Sequence, residues 1–214
     1  MRHATILLTI LLATPAGAQK DSLNQEPISC QIEEECFAKL RGKVSRKDDG
    51  LILRLGNGKI RKIRDSKACK TGDAPECVSY SLRGYRPAQG VYLVIGHGWE
   101  ANSVLLVNAG TGDQTELPDE PHFSPSGRWF VVFGGEYENH LSIWALEAGR
   151  AKRELLYDYD GNGTSETWRF LGWDGETRIR LEASSAETSG KDVETDAVLN
   201  AQGWVLNWPV PKAR

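Results

Sequence analysis

Long apolar runs are what this chain most conspicuously lacks. Its longest, Ala4 to Ala13, falls far short of the roughly 20 residues that a membrane-spanning helix needs. No later stretch is long or apolar enough to cross a bilayer. There is no Cys-x-x-Cys, which argues against a thioredoxin-like redox site or a c-type haem. A phosphate loop, a dinucleotide fingerprint and a Gly-x-Ser-x-Gly nucleophile elbow are missing too. His97, His122 and His140 follow no metal-ligand spacing. The net charge is only −3 and no basic tract stands out, so the chain is expected to bind nucleic acid or an anionic membrane poorly.

What is present begins with an address. Met1-Arg2-His3 is basic, the run to Ala13 is apolar, and Pro15 leads into Ala16-Gly17-Ala18. These are the three parts of a secretory signal peptide with an Ala-x-Ala exit. Residues 1–18 are therefore expected to be removed, giving a soluble periplasmic or secreted chain that starts at Gln19 and carries a net charge of −4. The remaining 196 residues are enough for one sizeable core. Cys30, Cys36, Cys69 and Cys77 all follow the cleavage point, and an even count in an oxidising compartment predicts two disulfides. Local pairs, Cys30–Cys36 and Cys69–Cys77, are favoured, since Gly72 and Pro75 let the second loop turn back. A rival pairing between the N-terminal segment and the 69–77 loop stays open.

Residues 19–42 are expected to form an N-terminal segment with one short helix over about 30–41. Ser29 could cap it, acids fill its first turn, and Gly42 could end it. If Cys30 pairs with Cys36, it must precede the regular helix, because six helical residues would turn the two side chains apart. From Lys43 the apolar period becomes two, and Asn57-Gly58 marks a hairpin. Strand-like runs cover 51–55, 59–64, 78–85, 91–96, 103–108, 128–133, 141–146, 167–173, 177–183 and 204–208. They predict an all-β domain over 43–214. The pairs 91–95/103–107 and 129–133/141–146 repeat at an offset of roughly forty residues, the period of a propeller blade.

His122-Phe123-Ser124-Pro125-Ser126-Gly127-Arg128-Trp129-Phe130-Val131 resembles the F-S-P-D-G-K segment that opens blades in WD-repeat-like and Tol-type periplasmic propellers. Leu106-Val107-Asn108-Ala109-Gly110-Thr111-Gly112 resembles the D-x-x-T-G turn of the same blades. Ser126 and Asn108 each stand where Asp is usual. The layout is also similar to uncharacterised exported bacterial propeller-like proteins with a cysteine-bearing N-terminal region. The resemblance covers about residues 91–182. It implies antiparallel, blade-like sheets in a small or partial β-propeller, with Phe123 packed against the neighbouring sheet. Val94, Leu106, Val131, Ile143 and Leu181 are expected to be buried with it.

Candidate sites are few. Asp158, Asp160, Asn162, Thr164 and Glu166 alternate along a loop with Gly161 and Gly163, as the hard-oxygen ligands of Ca²⁺ would. The loop resembles the D-x-D-x-D-G-x-x-D repeats of integrin-type propellers. Arg169 stands where an EF-hand has its bidentate Glu, and an ordinary acidic turn is the competing interpretation. Seven tryptophans are present. Trp129 and Trp144 lie in strand runs and read as core, whereas Trp99, beside Glu100 in a Gly-rich loop, reads as an exposed ligand-binding aromatic. The acids Glu33 to Glu35, Asp119, Glu120, Glu136 and Glu138 could serve a glycosidase only if two faced each other across a cleft. The expected function is a non-enzymatic binding or scaffold protein of the cell envelope, contacting a protein or glycan. A hydrolase of peptidoglycan or polysaccharide and a calcium-stabilised structural domain are the alternatives.

Overall fold

Alternation of apolar and polar residues builds most of this molecule into antiparallel meanders. The computed structural model describes residues 26–100, 102–134, 140–157, 167–184 and 188–207. The expected signal peptide (1–18), the calcium loop (158–166), Glu136, Glu138 and Trp208 lie outside the described residues.

Strand β1 (Ile28–Ser29) is followed by helix α1 (Glu33–Lys39). The Cys30–Cys36 disulfide spans a Cα separation of 5.6 Å and keeps Cys30 ahead of the helix, as the geometry of the pair requires. The helix is shorter than expected. Ser29 pairs with Gly84 in a strand instead of capping it, and the cap position falls on Ile32, which offers no side-chain oxygen. A Cβ on Gly84 would lie 2.4 Å from the Ile28 carbonyl oxygen, so β1 can approach only a glycine there.

Strands β2 (Val44–Lys47), β3 (Gly50–Arg54) and β4 (Ile60–Arg64) form a three-stranded sheet, with the Asn57-Gly58 turn joining β3 to β4. A second helix that the sequence did not suggest, α2 (Ala68–Thr71), ends at Gly72 in the left-handed conformation. The second sheet has the order β1-β5-β6-β7-β8, with β5 Ser79–Arg86, β6 Val91–His97, β7 Asn102–Asn108 and β8 Gln114–Leu117. The third contains β9 (His122–Phe123), β10 (Trp129–Phe133), β11 (Leu141–Glu147) and β12 (Arg150–Tyr157). The fourth contains β13 (Thr167–Asp174), β14 (Arg178–Ser184), β15 (Val193–Asn200) and β16 (Gly203–Asn207). The fold is all-β and antiparallel, and none of the four sheets closes.

Successive sheets stack face to face, and the two-residue period decides which side each residue serves. Tyr92, Val94, Leu105 and Val107 meet Leu51, Leu53 and Ile63 of the small sheet, together with Cys36 and Leu40. Their strand neighbours Val91, Leu93, Val104 and Leu106 meet Phe130, Val132 and Leu146 of the third sheet. From the third sheet's other face, Val131, Leu141 and Ile143 pack on Ile179, Leu181, Ala197 and Trp204. Strands buried on both faces read as continuous apolar runs, which is why β6, β7 and β10 were the plainest in the sequence.

Val94, Leu106, Val131, Ile143 and Leu181 are buried as expected, but Phe123 is only partly so. It lies on the two-residue edge strand β9, touching Phe130 at a ring separation of 5.3 Å, while the Arg86 guanidinium covers its other face at 3.7 Å. Trp129 and Trp144 are likewise half-buried rather than core. Among the described residues the buried tryptophan is Trp204, which takes Trp129 and Trp173 edge-on.

Candidate functional site

A disulfide-closed loop and the end of β6 bring the expected binding aromatic to a cleft. The Cys69–Cys77 disulfide closes the loop that carries α2, at a Cα separation of 4.5 Å. The base of this loop is fixed by Ser66. Its amide donates to the Val78 carbonyl (2.8 Å), its hydroxyl donates to the Glu76 carbonyl (2.9 Å), and the Val78 amide donates back to that hydroxyl (3.0 Å). Facing it, β6 ends at His97 and the chain turns through Gly98, Trp99 and Glu100 towards β7. The cleft between them holds about 290 Å³, with Cys69, Asp73, Cys77, His97 and Trp99 among its walls. Trp99 is 67% exposed, the most exposed of the large apolar side chains described. Glu100 is exposed beside it and outside the cleft lining.

No protein-family model matches this chain, and no curated protein proves similar to it. The chemistry of the site therefore rests on its own residues.

His97 also borders a second cleft, of about 420 Å³, that includes Glu33, Ser81, Asp119 and Glu120. The Ser81 hydroxyl and His97 Nε2 are 2.7 Å apart. A nucleophilic pair of this kind needs a third group to orient the imidazole. Among the described residues no acid hydrogen-bonds His97. Two of the nearby carboxylates have other partners. Arg46 grips Glu33 with two bonds, Nε to Oε2 at 2.7 Å and Nη2 to Oε1 at 2.9 Å, and the Leu82 amide donates to Oε1 at 2.8 Å. Arg46 also donates to the Tyr80 carbonyl and lies 3.5 Å from Asp65. Its hydrogen bond to Glu33 outweighs partial burial and raises its pKa. The cluster ties α1, β2 and β5 together. Glu120 lies 3.6 Å from Arg83.

Ser81 escaped notice in the sequence because its approach to His97 depends on register. Once Tyr80 pairs with Gly96, Ser81 and His97 become diagonal neighbours on one face of the β5–β6 hairpin. The other histidines are placed differently. His122 stacks on Phe170 at 4.3 Å, bridging the third and fourth sheets, and its carbonyl accepts from Trp173 Nε1 at 3.1 Å. His140 precedes β11 and its carbonyl accepts from the Gly134 amide. Among the described residues no three His, Cys, Asp or Glu side chains converge into a metal site.

The two motif departures have a structural cause. Asn108 is buried. Its Oδ1 accepts from the Gly110 and Thr111 amides (2.8 and 2.9 Å), and its Nδ2 donates to the Ala148 carbonyl of the next sheet at 3.0 Å. An aspartate would set a carboxylate against that carbonyl. At Ser126 the acid comes from the following sheet. Glu176 accepts from the Ser126 amide (2.6 Å), the Ser126 hydroxyl (2.6 Å) and the buried Ser124 hydroxyl (2.8 Å). Burial pushes the Glu176 carboxyl up, but these bonds and the nearby Arg128 outweigh it and hold the pKa below the usual carboxylate value.

Proposed function

We propose that the chain is an exported, non-enzymatic binding protein of the cell envelope, built as an open array of blade-like sheets, with Trp99 as its recognition residue. The observation that carries this reading is the 67% exposure of Trp99 at the rim of a disulfide-walled cleft. A large, rigid aromatic exposed to water beside a disulfide-closed loop loses little conformational freedom on binding and gains contact area. The cleft's volume lies at the lower edge of small-molecule sites, which suits one side chain or one sugar ring of a larger partner. Two disulfides fit an oxidising, non-cytoplasmic compartment, and among the described residues no helix is long and apolar enough to cross a membrane.

The test is capture from an envelope extract with wild-type protein and with Trp99→Ala, compared by mass spectrometry and glycan analysis. A partner retained by the first and lost by the second is expected. Identical capture by two equally folded proteins would defeat the proposal. The Ser81–His97 contact favours one second reading, an envelope hydrolase. Release of products from peptidoglycan or polysaccharide that disappears in His97→Gln would establish it instead.

A further inference from the structure

The mild net charge of the chain conceals a strong separation. Residues 39–70 carry twelve lysines and arginines against three aspartates, a net of +9, which leaves −12 for the rest of a chain whose total is −3. Several of these cations serve the fold. Lys39 donates to the Ser29 carbonyl, Lys43 lies over Tyr85, Arg46 grips Glu33, Arg61 donates to Gln114, and Lys70 pairs with Asp49.

Four of the other seven share a surface. Residues 51, 53 and 63 point into the core, so the alternate positions of β3 and β4 form the opposite face. That face presents Arg54, Lys62 and Arg64 with Ile52 and Ile60, and β2 adds Lys47 opposite Gly50. Lys62 lies across Gly50, 3.6 Å from Asp49. Among the described residues Lys47, Arg54 and Arg64 have no acidic partner, and all three are exposed. Ile60 is 56% exposed among them and Ile52 is half-buried. Among the described residues no other sheet covers this side.

We propose that the outer face of the β2–β3–β4 sheet docks on an anionic lipid bilayer. Cations around an exposed isoleucine form the pattern that favours a lipid interface. The charges meet the headgroups, and Ile60 reaches the acyl boundary. A nucleic-acid strand would favour aromatic platforms among the cations, and this face supplies only aliphatic residues. The sequence-based expectation of poor membrane binding rested on a mild net charge and on the lack of a continuous basic tract, whereas strand pairing gathers dispersed cations onto one face.

The experiment is flotation of the full chain with phosphatidylcholine vesicles, with and without phosphatidylglycerol, at low and high salt. Every variant carries the same N-terminal apolar run, so differences between variants report the sheet. Binding should require phosphatidylglycerol and weaken in high salt. Each removed cation should weaken it about fivefold, so Arg54→Gln/Arg64→Gln should lose about 25-fold. Ile60→Ser should lose about tenfold. Arg150→Gln/Lys152→Gln makes the same change in net charge on β12 and should bind as the wild type does. Dichroism and melting curves verify that each variant is folded. The proposal fails if anionic vesicles are not bound at low salt, or if the β12 variant loses as much as the sheet variant. Duplex DNA bound as tightly as the vesicles, through the same arginines, would show a general polyanion site and also overturn it.

Discussion

Glu176→Gln isolates the charge of the carboxylate that clamps the third sheet to the fourth. The substitution preserves shape and one acceptor oxygen, so the bond from the Ser126 amide survives. The second oxygen becomes an NH₂ group facing the Ser124 and Ser126 hydroxyls, which must rotate to accept. Hydrogen bonds to a charged group contribute about 1.5–3 kcal/mol each against about 1 for neutral ones. Discounted for partial exposure, the loss should be about 1 kcal/mol, or about 2–4 °C in Tm for a chain of this size. The pH dependence fixes the mechanism. The native pKa of Glu176 is lowered, so its contribution is complete above the unfolded value of about 4.3 and is lost as pH falls through the native value. Melting curves of both proteins from pH 7 into the acid range should therefore converge. Equal Tm at neutral pH, or a gap unchanged by acid, would refute the clamp.

Asn108→Asp should destabilise by about 2–3 kcal/mol at neutral pH, measured by urea unfolding, because it buries a carboxylate against the Ala148 carbonyl. The penalty should shrink in acid as that carboxyl protonates. Cys69→Ser/Cys77→Ser should lower stability by about 2–3 kcal/mol through the freed loop, a difference that calorimetry would detect. If the 158–166 loop holds Ca²⁺, affinity should be on the order of 10⁻⁴ to 10⁻³ M, and millimolar calcium should raise Tm over chelator in the wild type but not in Asp160→Ala.

Where both faces of a strand are buried, the sequence is unambiguous, and β6, β7, β10 and β11 follow their expected spans within a residue or two. Strands β8, β12 and β15 were hidden because their exposed faces are polar and they alternate weakly. Arg150–Tyr157, for instance, reads as a charged tail until β11 pairs with it. The expected N-terminal helix lost its first turn to β1, a pairing with β5 that no local signal announces. The same division holds at the sites. The exposure of Trp99 was legible from its Gly-rich loop, and the Cys69–Cys77 pair from the turn residues Gly72 and Pro75 between its cysteines. The Ser81–His97 contact needed register, and the Glu176 clamp joins residues 50 apart in sequence. Local chemistry says that a turn forms at Ser126, but not which distant acid will hold it.

Because the cores join consecutive sheets, the molecule is nearly one-dimensional in its energetics. Apart from the β1–β5 pairing, which reaches across the small sheet, each meander closes over short sequence distances and packs on its neighbour in the chain. Such an arrangement keeps loop-closure entropy low and allows folding to advance from one end as the chain emerges. The Cys30–Cys36 and Cys69–Cys77 bridges lie in the N-terminal part of the stack, so oxidation constrains that part independently of the last sheet. The fourth sheet, which among the described residues has a single stacking neighbour, is then the natural place for the native structure to begin to fray.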